Sequence, residues 1–300
     1  MNRKYILIGL LVCITGIFSG CHSWLDVQPE DQVTDGQLFS TESGFRTALN
    51  GIYVELSNNA LYGGELSVDA VEILAQRYDF SGNTTNAYRL GTYNYTIDYA
   101  KSKFAAVWEK AYSLIANCNK LLEYAEKNEE VLTGKMRKMI IGEAMALRAF
   151  LHFDMLRLFA PAPVNDDGQA YVPYVETYPD IHPESIKVTP FLDKVVRDLV
   201  KAKSLVADFD TTAAGVLASS SGKMRMSKAN ILAGPSFNYG DFFAGRGYRL
   251  TYYSITALLA RVYQYAGKNE DAFRCASEVV EYGKKSGTLF YQDDFAGVTV

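Results

Sequence analysis

Apolar residues between positions 135 and 161 recur at the spacing of an α-helix. One stripe advances three or four residues at a time, and three phenylalanines cover a second face: Met136, Ile140, Ala144, Leu147, Leu151, Met155 and Leu158, with Phe150, Phe153 and Phe159. A helix that is apolar most of the way round is buried between neighbours rather than lying at a surface. The pattern therefore predicts a central helix with other helices packed around it.

Charged and polar side chains interrupt this central helix at Glu143, Arg148, His152, Asp154 and Arg157. Buried charges need partners, so we expect neighbouring helices to supply polar contacts. We interpret Glu143, Arg148 and His152 as groups that hold a scaffold together and not as a catalytic cluster. His152 in particular is expected to be a satisfied interior side chain.

Two antiparallel helix pairs are predicted from the same periodicity. The first joins residues 101–125, whose apolar stripe includes Trp108, to residues 135–160 through a short turn. The second covers residues 252–284, where small residues at the crossing are typical of a tetratricopeptide-like unit. The sequence therefore predicts an all-α (mainly α) fold of tetratricopeptide-like helix pairs with long irregular loops.

Capping residues predict where several helices begin and end. Thr41 is placed to open one helix, and Thr189 followed by Pro190 fits an N-cap followed by proline at the first helical position. Thr251 is expected to cap the first helix of the second pair, and Gly267 to end it.

Long irregular stretches separate these helices. Residues 76–99 interleave tyrosines with Arg, Asp and Asn, and residues 210–247 are rich in Ser and Gly before they become aromatic. Aromatic side chains beside hydrogen-bonding groups are typical of a ligand-binding surface, although residues 76–99 could also be a short β-hairpin whose tyrosines cover the helices. We predict ligand contacts at Arg77, Tyr78, Asp79, Tyr88, Tyr93 and Tyr95, with Tyr239 and Phe243 behind them.

The N-terminus is typical of a secreted, lipid-anchored protein. Arg3 and Lys4 precede an apolar run over residues 6–18, which is too short to span a bilayer. Ser19-Gly20-Cys21 resembles a bacterial lipoprotein cleavage box, in which Cys21 is lipidated and anchors the chain; the alternative is a secretory signal with an incidental cysteine. We predict a lipoprotein signal peptide over residues 1–20, a lipidated tether over 21–38 and a helical domain over 39–300, at the outer membrane.

Charge and motif content exclude several function classes. The chain carries 30 Lys and Arg against 34 Asp and Glu, without a basic patch, so no nucleic-acid partner is predicted. The histidines lie at no metal-ligand spacing, and no phosphate-binding or nucleophile-elbow motif occurs. Acidic neighbours such as Asp166 and Asp167 do not set the separation that glycoside hydrolysis needs. We therefore predict no metal, no cofactor, no catalytic residue and no enzyme activity.

The two remaining cysteines, Cys118 and Cys275, both lie in helical patterns. A disulfide between them is compatible with an oxidising compartment. Two buried free thiols are the favoured interpretation.

Several short motifs follow one another from Cys21 to about residue 283. They are Ser23-Trp24-Leu25-Asp26-Val27-Gln28-Pro29; Ala48-Leu49-Asn50-Gly51-Ile52-Tyr53; Trp108 with Tyr112 and Ile115-Ala116-Asn117; Gly142-Glu143-Ala144 with Leu147-Arg148-Ala149; and Leu258-Leu259-Ala260-Arg261-Val262-Tyr263. In this order and spacing they are similar to the SusD/RagB family, the surface lipoproteins of Bacteroidetes nutrient-uptake systems.

The resemblance implies a SusD-like α-helical fold whose irregular segments form the ligand face. It also implies a surface lipoprotein that captures an oligosaccharide, or in some members a peptide, and delivers it to a SusC-like TonB-dependent transporter without cleaving it. Family members are longer, and we expect this chain to lack their C-terminal portion. A hypothesis of another class, which the helix pairs and the anchor also allow, is an outer-membrane scaffold that binds other proteins and no small ligand.

Overall fold

A computed structural model of the protein describes residues 34–80, 84–219 and 238–286. The chain separates into two compact units, Met1–Gln37 and Leu38–Val300. In the described residues, helices dominate and a single two-stranded sheet is present, which confirms the predicted mainly α fold. The predicted signal peptide, Cys21 and nearly all of the predicted tether lie outside the described residues.

The described elements are helices with one small antiparallel hairpin and two 3₁₀ turns, Pro163–Asn165 and Arg246–Tyr248. They are α1 (Asp35–Leu38), α2 (Glu42–Leu56), α3 (Ala70–Leu74), α4 (Asn86–Gly91), α5 (Asp98–Lys127), α6 (Gly134–Phe159), β1 (Ala170–Pro173), β2 (Ser185–Lys187), α7 (Val188–Asp210), α8 (Ala213–Ser219), α9 (Gly240–Ala244), α10 (Tyr252–Tyr265) and α11 (Asn269–Ser286).

Helices α5 and α6 form the first predicted hairpin, and each extends within a few residues of its expected bounds. They run antiparallel, because Trp108 near the start of α5 meets Phe159 at the end of α6, with ring centroids 4.9 Å apart. Gly134 begins α6 with a φ of +55°, a left-handed conformation that favours glycine. Trp108 packs against the core, as its place on the apolar stripe predicts.

Helix α6 is the centre of the fold. Most of its residues are buried, and α5, α7 and the β1 hairpin pack around it. Helix α7 approaches α6 closely at Gly142, where an added Cβ would lie 2.7 Å from Cγ1 of Val206 and 3.1 Å from the carbonyl oxygen of Ala202. A side chain at position 142 would therefore separate the two helices.

Helices α10 and α11 form the second predicted hairpin, and α10 also packs on α7. Thr251 accepts a hydrogen bond from the backbone N–H of Ser254, whose hydroxyl accepts one in return from the N–H of Thr251. This reciprocal cap confirms Thr251 as the N-cap. Gly267 follows α10 with a φ of +73° and lets the chain reverse into α11.

The start of α7 differs slightly from its prediction. The helix begins at Val188 with Lys187 as N-cap, so Thr189 lies inside the first turn instead of capping it. Pro190 then occupies the third helical position. This is compatible with a helix because the first four backbone N–H groups have no intrahelical acceptor.

The stretches predicted as irregular contain short ordered elements. The described part of residues 76–99 contains α4, whose N-cap Thr85 accepts from the N–H of Tyr88, and no β-strand. The hairpin lies instead between α6 and α7, where Ala170 pairs with Lys187 and Val172 with Ile186. The described parts of 210–247 contain α8 and α9. Each element is too short to show a helical or strand period in the sequence.

The close approach of α6 and α7 predicts opposite effects for two glycine substitutions. Gly142→Ala should lower the free energy of unfolding by about 1–2 kcal/mol, because the new methyl group collides with Val206 and overpacking outweighs the gain in helix propensity. Gly51→Ala in α2, where nothing lies within 4 Å of an added Cβ, should raise it by about 0.5–1 kcal/mol. Urea unfolding of both variants measures the difference, and equal effects would contradict the packing account.

Candidate functional site

Four of the predicted tyrosines form an exposed aromatic surface near the start of α5. Tyr78, Tyr88, Tyr93 and Tyr95 retain 46, 38, 54 and 51% of their accessible area. Arg77 lies beside them with 72% of its side chain exposed and pairs with Glu72 at 3.4 Å. Asp79 is also exposed. We call these six residues the tyrosine surface.

A small core of its own holds the backbone beneath the tyrosine surface. Ala70 and Ile73 of α3 meet Leu90 of α4 and Ala100 of α5, apart from the main core. The side-chain amide of Gln76 also donates to the carbonyl oxygen of Gly91. The tyrosine surface therefore rests on a packed platform formed by α3, α4 and the start of α5.

Backbone hydrogen bonds orient two of the exposed rings. The hydroxyl of Tyr78 donates to the carbonyl oxygen of Val68, and that of Tyr93 donates to the carbonyl oxygen of Leu74 at 3.2 Å. Tyr95 packs against Phe104 with centroids 6.0 Å apart. Tyr78, Tyr93 and Tyr95 are thus restrained while each keeps about half of its area exposed.

Tyr239 and Phe243 lie apart from the tyrosine surface, so the structure does not bring these two predicted contacts together with the other six. The ring of Tyr239 lies 5.2 Å from Nζ of Lys135 at the start of α6. Tyr95 contacts Phe104, which packs on Phe159 at the end of α6. The α-helical rise of about 1.5 Å per residue puts the two ends of α6 roughly 36 Å apart.

Phe243 is also buried, with only 6% of its area exposed. Its ring packs against Phe209 and Phe242, at centroid distances of 4.6 and 5.6 Å. The sequence could not distinguish this core phenylalanine from an exposed one, because α9 is too short to display a buried face. Phe243 is therefore corrected from a surface contact to a core residue.

The buried charges of α6 are fully engaged in structural contacts. Glu143 accepts from the hydroxyl of Tyr53 at 2.6 Å and pairs with Arg246, and the side chains of Glu143 and Arg246 are both fully buried. Arg246 makes a bidentate contact with Asp210, Nε to Oδ1 at 2.8 Å and Nη2 to Oδ2 at 2.7 Å, and donates to the carbonyl oxygen of Leu250 at 3.0 Å. Sequence reasoning identified Glu143 but missed Asp210 and Arg246.

One turn further along α6, Arg148 forms a second buried cluster. Its Nε donates to Oδ2 of Asp198 at 2.8 Å, and its Nη1 donates to Oδ1 of Asn119 at 2.9 Å. The hydroxyl of Tyr174 donates to the same Asp198 oxygen at 2.7 Å. The Arg148 cluster therefore ties α5, α6 and α7 to the chain that follows β1.

His152 is a satisfied interior group, as predicted. Its Nε2 accepts from the backbone N–H of Val175 at 3.0 Å, so Nδ1 carries the proton and donates to the carbonyl oxygen of Arg148 at 2.9 Å. Its ring stacks on Tyr174 with centroids 4.0 Å apart. Burial lowers the pKa of His152 well below its ordinary value, and the neighbouring Arg148 lowers it further. The imidazole is therefore neutral, and each of its two ring nitrogens makes a hydrogen bond.

Other candidate chemistries are also accounted for. Cys118 and Cys275 are both buried and free, and burial raises the pKa of the Cys118 thiol to about 12. A thiol with such a pKa is not a nucleophile at neutral pH. Among the described residues, His, Cys, Asp and Glu side chains form no group that could hold a metal ion.

A cleft of about 840 Å³ lies away from the tyrosine surface. Its walls come from parts of residues 53–62, the middle of α6, Ser219 of α8, parts of residues 247–257 and Val279 of α11. Aromatic and aliphatic side chains dominate its lining. The sequence gave no signal for this cleft, because its walls come from five separate segments.

Comparison with known families gives one match that covers more than half of the chain. The family SusD-like_3, described as "Starch-binding associating with outer membrane", matches residues 23–221. Two similar curated proteins come from Formosa agariphila. SusD-like protein P2 is 24% identical over 166 residues, which cover 55% of this chain and 31% of that protein, and SusD-like protein P38 is 26% identical over 207 residues, which cover 67% and 37%.

Solved structures share the fold. A SusD superfamily protein from Bacteroides thetaiotaomicron superposes with a TM-score of 0.59 at 22% identity, over 80% of this chain and 46% of its own. A SusD-like carbohydrate binding protein from Bacteroides vulgatus superposes with a TM-score of 0.60 at 18% identity, over 85% and 46%. The chain thus spans about half the length of these solved structures and about a third of the curated relatives.

Removing the central cation of the first buried cluster should be strongly destabilising. Arg246→Met leaves Glu143 and Asp210 buried without their partner, and we expect a loss of about 3–5 kcal/mol in the free energy of unfolding. Arg274→Met is the matched control, because Arg274 is 70% exposed and pairs with Asp271 at the surface; its effect should stay within about 0.5 kcal/mol. Urea unfolding measures both, and a small loss in Arg246→Met would disprove the assigned role.

The neutral state of His152 predicts a pH dependence of stability. In the unfolded chain His152 binds a proton below its ordinary pKa of 6.5, whereas in the folded chain its pKa is lowered and it stays neutral. Acidification from pH 6.5 towards the lowered pKa should therefore reduce the free energy of unfolding by up to about 1.4 kcal/mol per pH unit.

His152→Gln should remove this contribution to the slope, whatever its effect on stability at neutral pH. His182→Gln is the control, because His182 is exposed and its substitution should leave the slope unchanged. Denaturant unfolding at several pH values measures the three slopes. Identical slopes in the wild type and His152→Gln would show that His152 is not the responsible group.

Proposed function

Because this chain belongs to the SusD-like family, we propose that it binds carbohydrate at the outer membrane and presents it to a SusC-like TonB-dependent transporter, without catalysis. The family is described by starch binding and outer-membrane association, and one solved relative is named as a carbohydrate binding protein. The observation within the chain that best supports this function is the tyrosine surface. Its four rings remain substantially exposed, although three of them are restrained by hydrogen bonds or packing.

The tyrosine surface suits the chemistry of a sugar. Sugar rings present C–H faces that pack on aromatic rings, and aromatic side chains with few rotatable bonds cost little entropy when they bind. Arg77 and Asp79 offer hydrogen-bonding groups beside the rings. The proposed ligand is therefore an oligosaccharide that stacks on Tyr78, Tyr88, Tyr93 and Tyr95.

Attachment to the membrane is proposed to occur through lipidated Cys21. Among the described helices, none is both long and apolar enough to cross a bilayer. A dually acylated cysteine would anchor the protein stably. Radiolabelled palmitate should be incorporated into the wild type and not into Cys21→Ala.

Ring removal tests the proposed ligand surface. Tyr88→Ala and Tyr93→Ala should each weaken oligosaccharide binding by about tenfold, which corresponds to the 1–1.5 kcal/mol of one aromatic contact. Both rings are exposed, so the melting temperature should change little. Tyr93 has a φ of +61°. Alanine and tyrosine both carry a Cβ, so this left-handed conformation is equally unfavourable for both and the substitution adds no backbone strain. Calorimetry against a glycan panel that includes starch fragments measures the affinities.

Phe273→Ala is the matched control, because Phe273 on α11 is 75% exposed and lies outside the tyrosine surface. Its affinity for the ligand should equal that of the wild type. Glycan binding that survives both tyrosine substitutions would reject this surface as the site. Binding of peptides alone, or of neither ligand class, would favour the peptide-binding or protein-scaffold alternative.

A further inference from the structure

The cleft of about 840 Å³ is separate from the tyrosine surface and has a different wall chemistry. Its volume lies within the range of roughly 300–1,000 Å³ that is typical of small-molecule sites. Aromatic rings line it from several directions: Tyr53, Tyr62, Phe150, Tyr248 and Tyr253. Tyr62 and Phe150 stack on each other, with centroids 5.0 Å apart and planes inclined by 20°.

Most hydrogen-bonding groups in this wall are already engaged within the protein. The hydroxyl of Tyr53 donates to Glu143 and accepts from the backbone N–H of Leu250 at 2.9 Å. The hydroxyl of Tyr62 donates to Asp154 at 2.9 Å. The hydroxyls of Thr251 and Ser254 each accept from the backbone N–H of the other residue in the cap of α10. The cleft therefore suits a flat apolar body better than a sugar with many hydroxyl groups.

A single charged side chain, Arg249, is part of the described lining, and no carboxylate is. Its side chain is 10% exposed, and its guanidinium lies over the ring of Phe242 at 4.1 Å. Nη1 of Arg249 has no hydrogen-bond partner among the described residues, and Oε1 of Glu143 is 3.6 Å away. Nη2 of Arg249 donates to the side-chain oxygen of Asn50. Glu143 is shared with Arg246, so among the described residues Arg249 has no carboxylate of its own.

We propose that the cleft is a second binding site and that its ligand is an aromatic carboxylate, with a planar ring between the aromatic walls and the acidic group towards Arg249. This goes beyond the proposed carbohydrate function. The rings supply the stacking surface, and the positive charge selects an anion over a neutral ring. A low-dielectric wall strengthens this selection.

Three probes separate the two parts of the proposed recognition. Indole-3-acetate carries the ring and the carboxylate, 3-methylindole carries the ring alone, and acetate carries the carboxylate alone. Calorimetry on the full chain should detect indole-3-acetate binding, at least about tenfold weaker binding of 3-methylindole and no binding of acetate. Equal affinity for indole-3-acetate and 3-methylindole, or failure of indole-3-acetate to bind, would overturn the proposal.

Filling the cleft identifies the site without disturbing the core. Ala257 on α10 lines the cleft and is exposed, so Ala257→Trp should place an indole in the opening and weaken indole-3-acetate binding by at least about tenfold. Ala276→Trp on α11 is the control, because Ala276 is exposed and does not line this cleft. Equal binding by the two variants would disprove the location.

The same samples keep this inference separate from the proposed function. Ala257→Trp should leave oligosaccharide binding unchanged, and Tyr88→Ala should leave indole-3-acetate binding unchanged. Sedimentation should show the same oligomeric state for the wild type and for Ala257→Trp. If the wild type self-associates and Ala257→Trp does not, a second copy of the chain and not a small acid occupies the cleft, and the proposal is wrong.

Discussion

The contact on which the second half of the structure depends is the buried guanidinium of Arg246. It neutralises Glu143 from the middle of α6 and Asp210 from the end of α7, which precede it by 103 and 36 residues. Asp210 also accepts from the backbone N–H of Tyr252, and Arg246 donates to the carbonyl oxygen of Leu250. An unpaired charge in this interior would cost several kcal/mol, so the start of α10 is fixed relative to α6 and α7.

Helix α6 makes similar buried polar contacts at successive turns. Glu143 binds Tyr53 and Arg246, Arg148 binds Asn119 and Asp198, and Asp154 accepts from Tyr62. Burial of apolar surface drives these helices together but is non-directional. Charge-assisted hydrogen bonds have preferred distances and angles. The polar residues of this helix therefore determine the positions of the neighbouring elements, while its apolar faces supply most of the stabilisation.

The sequence predicted the features that depend on local pattern. Periodicity located α5 and α6, and the order of motifs identified the family and therefore the fold. The partners of Glu143 and Arg148 were beyond this reasoning, because Asp198, Asp210 and Arg246 lie far away in the chain and look like ordinary polar residues. Likewise, nothing local separates an exposed Tyr95 from a buried Phe243. Their environments depend on tertiary contacts: Tyr95 packs on Phe104 near the start of α5, and Phe243 packs on Phe209 at the end of α7.

The geometry of the tyrosine surface limits how it can recognise a ligand. The hydroxyls of Tyr78 and Tyr93 are engaged by the carbonyl oxygens of Val68 and Leu74, so these tyrosines offer their ring faces first. Their fixed orientation reduces the entropy lost on binding. Specific hydrogen bonds then fall to flanking groups such as Arg77, whose pair with Glu72 is exposed and weak. Such a surface would bind a stacking sugar ring with affinity from the tyrosines and selectivity from the arginine.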